Sequence, residues 1–286
     1  MKRIFKIALL LSTTLAFAEA KQSWIASESF SAPESVYYDP ATNLLFVSSI
    51  HGEGTAQDGQ GWISKVSLDG KVTEAQWITG LNAPKGMRSQ GNLLYVSDID
   101  HVVKIDAKQG KILKRIPIKG AKFLNDVAID ASGAVYVSDT LTSSIHIIKN
   151  DTAKIFVSGE EWESPNGLLV QGEELIVAAW GLTKDFNNKT SGKLYAINLK
   201  TLKRTNLSSK SLGNLDGLEA DPKNAKRFYL SDWVTGEIFS VINGKRDGWS
   251  IKLPQGSADI ALVSGEKSIL VVPQMTKNNI RAYRLP

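Results

Sequence analysis

One phrase recurs six times along the chain: a polar pair, an apolar alternation, a short turn, then an apolar strand ending in small or acidic residues. It reads PESVYYDPATNLLFVSSI over 33–50, PKGMRSQGNLLYVSDI over 84–99 and LNDVAIDASGAVYVSDT over 124–140. It returns as PNGLLVQGEELIVAAW over 165–180, LDGLEADPKNAKRFYLSDW over 215–233 and ADIALVSGEKSILVVPQ over 258–274. The leading residues of the six polar pairs, Glu34, Lys85, Asn125, Asn166, Asp216 and Ala258, lie 40 to 51 residues apart. That is the period of a four-stranded propeller blade and too long for a leucine-rich turn. After each phrase comes a third strand and usually a fourth, as in GWISKVSLDGKV and HVVKIDAKQGKIL, rich in β-branched and aromatic residues and separated by Asp-Gly or Lys-Gln-Gly turns. The pattern predicts an all-β fold, a six-bladed β-propeller of four-stranded blades, over residues 21–286. The segment QSWIASESFS (22–31) precedes the first repeat and is expected to add an outer strand to the last blade, closing the ring and protecting its edges.

Residues 1–20 divide into a basic start (Lys2, Arg3, Lys6), an apolar stretch from Ile7 to Phe17, and a small-residue end, Ala18-Glu19-Ala20. This order predicts a secretory signal peptide and a periplasmic or secreted mature chain. No later segment carries the roughly 18 uninterrupted apolar residues of a spanning helix, so no membrane anchor is expected. Cysteine is absent, which excludes disulfides, thiolate metal ligands and a cysteine nucleophile. Cleavage after Ala20 removes three basic residues and one acidic one from totals of 34 and 29, leaving 31 against 28 and a net charge of +3. So slight and unclustered a basicity argues against nucleic acid as a partner.

Propeller geometry places the repeated polar residues. If each first strand runs along the central channel, its leading residue sits at one rim, and the second strand returns to that rim. Six polar pairs then converge on one mouth. The two long connections on that face, His51 to Gly61 and Gly181 to Gly192, belong to the first and fourth blades, which oppose each other, and are expected to flank a ligand. The leading positions bring two carboxylates (Glu34, Asp216) and two carboxamides (Asn125, Asn166) to one point. An all-oxygen set of charge minus two suits a hard divalent cation, calcium above all; with neither thiolates nor clustered imidazoles, zinc is disfavoured. The second positions add Asp126 and Asp259 as substrate contacts, and His51 and Trp180 join them at the rim. Asn-Gly and Asp-Gly pairs are also ordinary turn chemistry, and Trp180 and Trp233 also read as blade packing. The Ser-Asp strand endings read as structural.

With these residues in place the chain resembles the senescence-marker-protein, gluconolactonase and luciferin-regenerating-enzyme group, and more distantly the paraoxonases and diisopropyl-fluorophosphatase. The likeness spans the whole mature chain and rests on the blade rhythm and four motifs: Glu34 in PESVYYD, Asn125 in LNDVAID, Asn166 in SPNGLLV and Asp216 in LDGLEAD. The resemblance implies metal ligation by Glu34, Asn166 and Asp216, with Asn125 touching metal or substrate and Asp216 also serving as base or nucleophile. It implies a hydrolase acting on a small-molecule lactone or related ester. Two departures stand out. Phe123 occupies a position where gluconolactonases often carry arginine, so a sugar-acid substrate loses a contact. Lys85 puts an ammonium beside the expected metal, where it pairs with Glu34 or Asp216, orients or protonates substrate, repels the metal or takes its place. The other reading is a non-catalytic propeller that holds a small ligand or partner protein on the same face.

Overall fold

Each copy of the phrase folds into two antiparallel strands, because alternating apolar residues need a sheet face to bury and the intervening Gly, Asn or Asp turns the chain back. The computed structural model describes residues 20–187 and 190–286; the predicted signal peptide falls almost wholly outside them. Six sheets of four antiparallel strands form six blades, the predicted propeller, and no α-helix occurs among the described residues. The first strands are Pro33–Asp39, Pro84–Gln90, Leu124–Ile129, Pro165–Gln171, Leu215–Asp221 and Ala261–Val263, and they pack against one another around the central channel.

The last blade is completed by the chain's own beginning. Strand Lys21–Ala26 pairs antiparallel with Asn279–Arg284, so the ring closes by hydrogen bonds between its two ends, as expected. That strand starts at the residue after the predicted cleavage point.

Six of the apolar clusters form a ring, each between successive blades, and a smaller one gathers Ile50, Ala83 and Ile99. One packs Leu168, Val177 and Tyr195 of the fourth blade onto Tyr136 and Ile145 of the third; another seals the sixth blade to the first with Ala26, Val36 and Val271. A blade alone would leave both faces wet, so each depends on two neighbours. Across the channel, Arg88 of the second blade meets Glu219 of the opposing fifth, Nη1 to Oε1 3.3 Å.

Candidate active site at the channel mouth

The polar pairs sit on a recurring irregularity. In each of the first five blades the ladder between first and second strand slips at the pair: between Pro33 and Val36, Pro84 and Met87, Leu124 and Val127, Pro165 and Gly167, and Leu215 and Leu218. Such a bulge frees residues from the ladder and re-aims their side chains. The released backbone groups are taken up by the serines of the Ser-Asp endings and their equivalent, Ser48. Ser48, Ser138 and Ser231 accept from the N–H of Ser35, Asp126 and Gly217 at 3.0, 2.9 and 2.7 Å. Ser138 donates onward to the Asn166 carbonyl at 2.7 Å, Ser231 to that of Ala258 at 2.7 Å, and Ser97 to that of Asn125. The aspartates that follow cap backbone N–H groups: Asp98 those of Asn82 and Ala83, Asp139 those of Lys122 and Phe123.

Gly167 and Gly217 lie inside first strands, not in turns, and neither has positive φ. A Cβ on Gly167 would stand 2.2 Å from the Asp216 carbonyl, and one on Gly217 2.5 Å from the Ile260 nitrogen. The Asn-Gly and Asp-Gly pairs therefore answer close approach by the next blade.

Glu34, Lys85, Asn125, Asn166, Trp180 and Asp216 all line one cavity of about 280 Å³ at the channel mouth. Gly54 and Phe186 line it too, so the two long loops flank it from opposing blades. Each of the four candidate metal ligands keeps one buried oxygen without a hydrogen-bond partner: Glu34 Oε2, Asn125 Oδ1, Asn166 Oδ1 and Asp216 Oδ1. Burial raises the Glu34 carboxyl well above its ordinary range, helped by Asp216 and opposed by Lys85. Burial, with Asp126 nearby, pushes Asp216 up to about 8 against the Asn166 amide. Four orphaned acceptors, two of them carboxylates kept from ionising, are what a hard oxygen-seeking cation relieves. The donor set therefore fits a calcium-like ion. Among the described residues no trio of His, Cys, Asp and Glu gathers as a metal site, so an ion held here would draw two of its ligands from carboxamides.

Lys85 is fully buried. Its ammonium donates to the carbonyls of Ala83 at 2.9 Å and Gly54 at 3.2 Å and lies 4.3 Å from the centre of the Phe123 ring. Burial lowers its pKa, with Glu34 and Asp98 opposing. No ion pair joins it to Glu34 or Asp216 among the described residues.

Three predicted substrate contacts fall elsewhere. Asp126 is fully buried outside the cavity lining and accepts from the N–H of Val127 at 2.6 Å and of Leu168 at 2.7 Å, clasping the third blade to the fourth. Asp259 accepts from the Ser35 hydroxyl at 2.6 Å and bridges the sixth blade to the first. His51 is exposed and lines a separate surface depression with Trp62 and Gln76. The repeat reveals the wall of the cavity only in part. Trp180 and Trp233, which end second strands at the rim, line it, and Phe123, Phe186 and Met275 complete it, Phe186 being an aromatic in an otherwise polar loop.

No family model matches the chain, and no curated protein matches its sequence. Solved structures match its shape. A gluconolactonase from Xanthomonas campestris is 15% identical with a TM-score of 0.63, covering 93% of this chain and 87% of that one. A catalytically inactive virginiamycin B lyase from Staphylococcus aureus, solved with quinupristin, is 12% identical with a TM-score of 0.59, over 94% and 99%. A chain of a nidogen/laminin complex is 14% identical with a TM-score of 0.59, over 81% and 92%. A hydrolase, a lyase and a protein complex share this architecture, so the fold does not choose among functions. The chain has the propeller fold that the Xanthomonas gluconolactonase also adopts.

Proposed function

We propose that the chain is an exported, calcium-dependent hydrolase of lactones or related esters. The observation that carries this reading is the set of four orphaned, buried oxygens that four different blades contribute to one cavity. Glu34, Asn166 and Asp216 would hold the ion, with Asn125 on the substrate side. When bound, a hard divalent ion supplies Lewis-acid polarisation of a carbonyl oxygen. Asp216, ionised when a cation is bound, would take the proton of a water that attacks the acyl carbon and return it to the departing ring oxygen as the acyl C–O bond breaks. Alternatively it would attack the acyl carbon itself, the resulting acyl-enzyme then being hydrolysed by water. Lys85 has two ammonium protons committed to Ala83 and Gly54 and one left for a substrate oxygen. The structural likeness to a gluconolactonase agrees with the reaction class, and the signal-like residues 1–20 support export.

Purified protein is expected to open lactones in calcium and to stop in chelator. Asp216→Asn should lower kcat about 100- to 10,000-fold, the range for a lost general base, with an unchanged circular dichroism spectrum. Parental turnover by that variant would remove Asp216 from the reaction. Mass spectrometry of the exported chain should find Lys21 at its start.

A further inference from the structure

The cavity has two chemically distinct halves. Its floor is the oxygen set already described; its wall is an unbroken aromatic arc. Phe123 meets Phe186 edge-on at 4.9 Å, Phe186 meets Trp180 edge-on at 5.1 Å, and Trp180 meets Trp233 at 6.1 Å and 48°. Trp233 turns its indole N–H onto the Met275 sulfur at 3.1 Å, which carries the arc into the sixth blade.

This wall is poor in hydrogen-bonding groups. The Trp233 N–H is spent on Met275, which leaves the buried, unpartnered N–H of Trp180 and the exposed Gln255 side chain as the polar groups on that side. A ligand bearing several hydroxyls would strip each of water and find few partners, at a cost of about 1–3 kcal/mol per unpaired group. A hydrocarbon ring would gain about 25 cal/mol for each Å² withdrawn from water. The staggered rings present edges and faces together, the arrangement into which a further planar ring packs. A volume of about 280 Å³ lies at the small end of ligand sites, enough for a head and a ring but not for a long chain.

We infer that the cavity selects an uncharged ligand with one oxo head directed at the oxygen floor and an apolar, ring-bearing remainder packed on the arc from Phe123 to Met275, and discriminates against polyhydroxylated ligands. Phe186 is the specificity-determining residue, since it joins Phe123 to Trp180 from a loop outside the blades. The oxo head rests on the reading under Proposed function; the apolar remainder does not.

The test compares two lactams that share a six-membered cyclic amide head and resist hydrolysis, dihydroquinolinone and gluconolactam, titrated calorimetrically into the full chain in calcium. Dihydroquinolinone is expected to bind at least about tenfold more tightly, the equivalent of one 1.4 kcal/mol step. Phe186→Ala should weaken it about tenfold and leave gluconolactam unchanged, while Phe186→Leu recovers most of the loss. Met275→Ser, at the other end of the arc, should shift affinity in the same direction and serves if Phe186→Ala fails to fold. Equal or tighter binding of gluconolactam, no binding by either lactam, or indifference to both Phe186→Ala and Met275→Ser would overturn the inference. Turnover assays on the matching lactones separate this from the hydrolase reading. If neither dihydrocoumarin nor gluconolactone is opened while the lactam preference holds, the hydrolase reading fails and this one stands. Preferred opening of gluconolactone does the reverse.

Discussion

Glu34 and Asp216 are buried carboxyl groups, each with an oxygen that no protein donor reaches, and Asn125 and Asn166 repeat the condition with carboxamides. An unpaired buried acceptor costs about 1–3 kcal/mol, so a cation bound among the four would relieve them together. Lys85 works against that cation, since its charge stabilises ionised Glu34 but repels a second positive charge in a medium where screening is weak. Lys85→Met, which keeps the length and removes the charge, is expected to tighten calcium binding roughly three- to tenfold by calorimetry. Weaker binding in that variant would mean that the ammonium organises the site and does not oppose the ion. The identities of all five residues were legible in the sequence because each leads a repeat.

The bulge is the element that turns a repeat into a site. Without it, Asn166 would stay in the ladder; with it, the strand is held by serine hydroxyls reaching between blades. Ser138 both accepts from the Asp126 N–H and donates to the Asn166 carbonyl. Ser138→Ala leaves two buried backbone groups without this partner, and should lower stability by about 1–3 kcal/mol in urea unfolding while also weakening calcium binding through Asn166. A change in stability alone would show that the clasp does not position the ligand. The strands, the rim and the closing strand are legible in the sequence because alternation and turn chemistry are local. That Asp126, Asp259 and His51 lie away from the cavity is not legible there, because position in a repeat does not tell which way a bulged strand turns its second residue, nor which side of a loop faces inward. The aromatic wall is legible in part: Trp180 and Trp233, like Met275, stand directly after a second strand and so at the rim, whereas Phe123 and Phe186 come from connections that share no repeat position.

At the scale of the molecule, six inter-blade cores hold a ring whose axis is lined with acids. Glu34, Asp126, Asp216, Glu219 and Asp259 are all raised above their ordinary values, chiefly by burial, Asp216 to about 8 and Glu219 to about 7. The folded state therefore binds protons that the unfolded chain releases near pH 4. The stability these groups contribute is fully present below that pH and is lost as pH climbs through the folded values toward 8. In chelator the melting temperature should fall between pH 5 and pH 8, and calcium should raise it more at pH 8 than at pH 5, because the ion replaces protons that have already left. A melting temperature that climbs over this range in chelator would contradict the burial of these acids. The most direct test of the whole account is calorimetric titration of calcium into chelator-stripped protein at neutral pH, beside Glu34→Gln, Asn166→Ala and Asp216→Asn. One ion per chain is expected, held at least about tenfold more weakly by each variant. Calcium uptake that is absent in the parent, or equal in parent and all three variants, would contradict it.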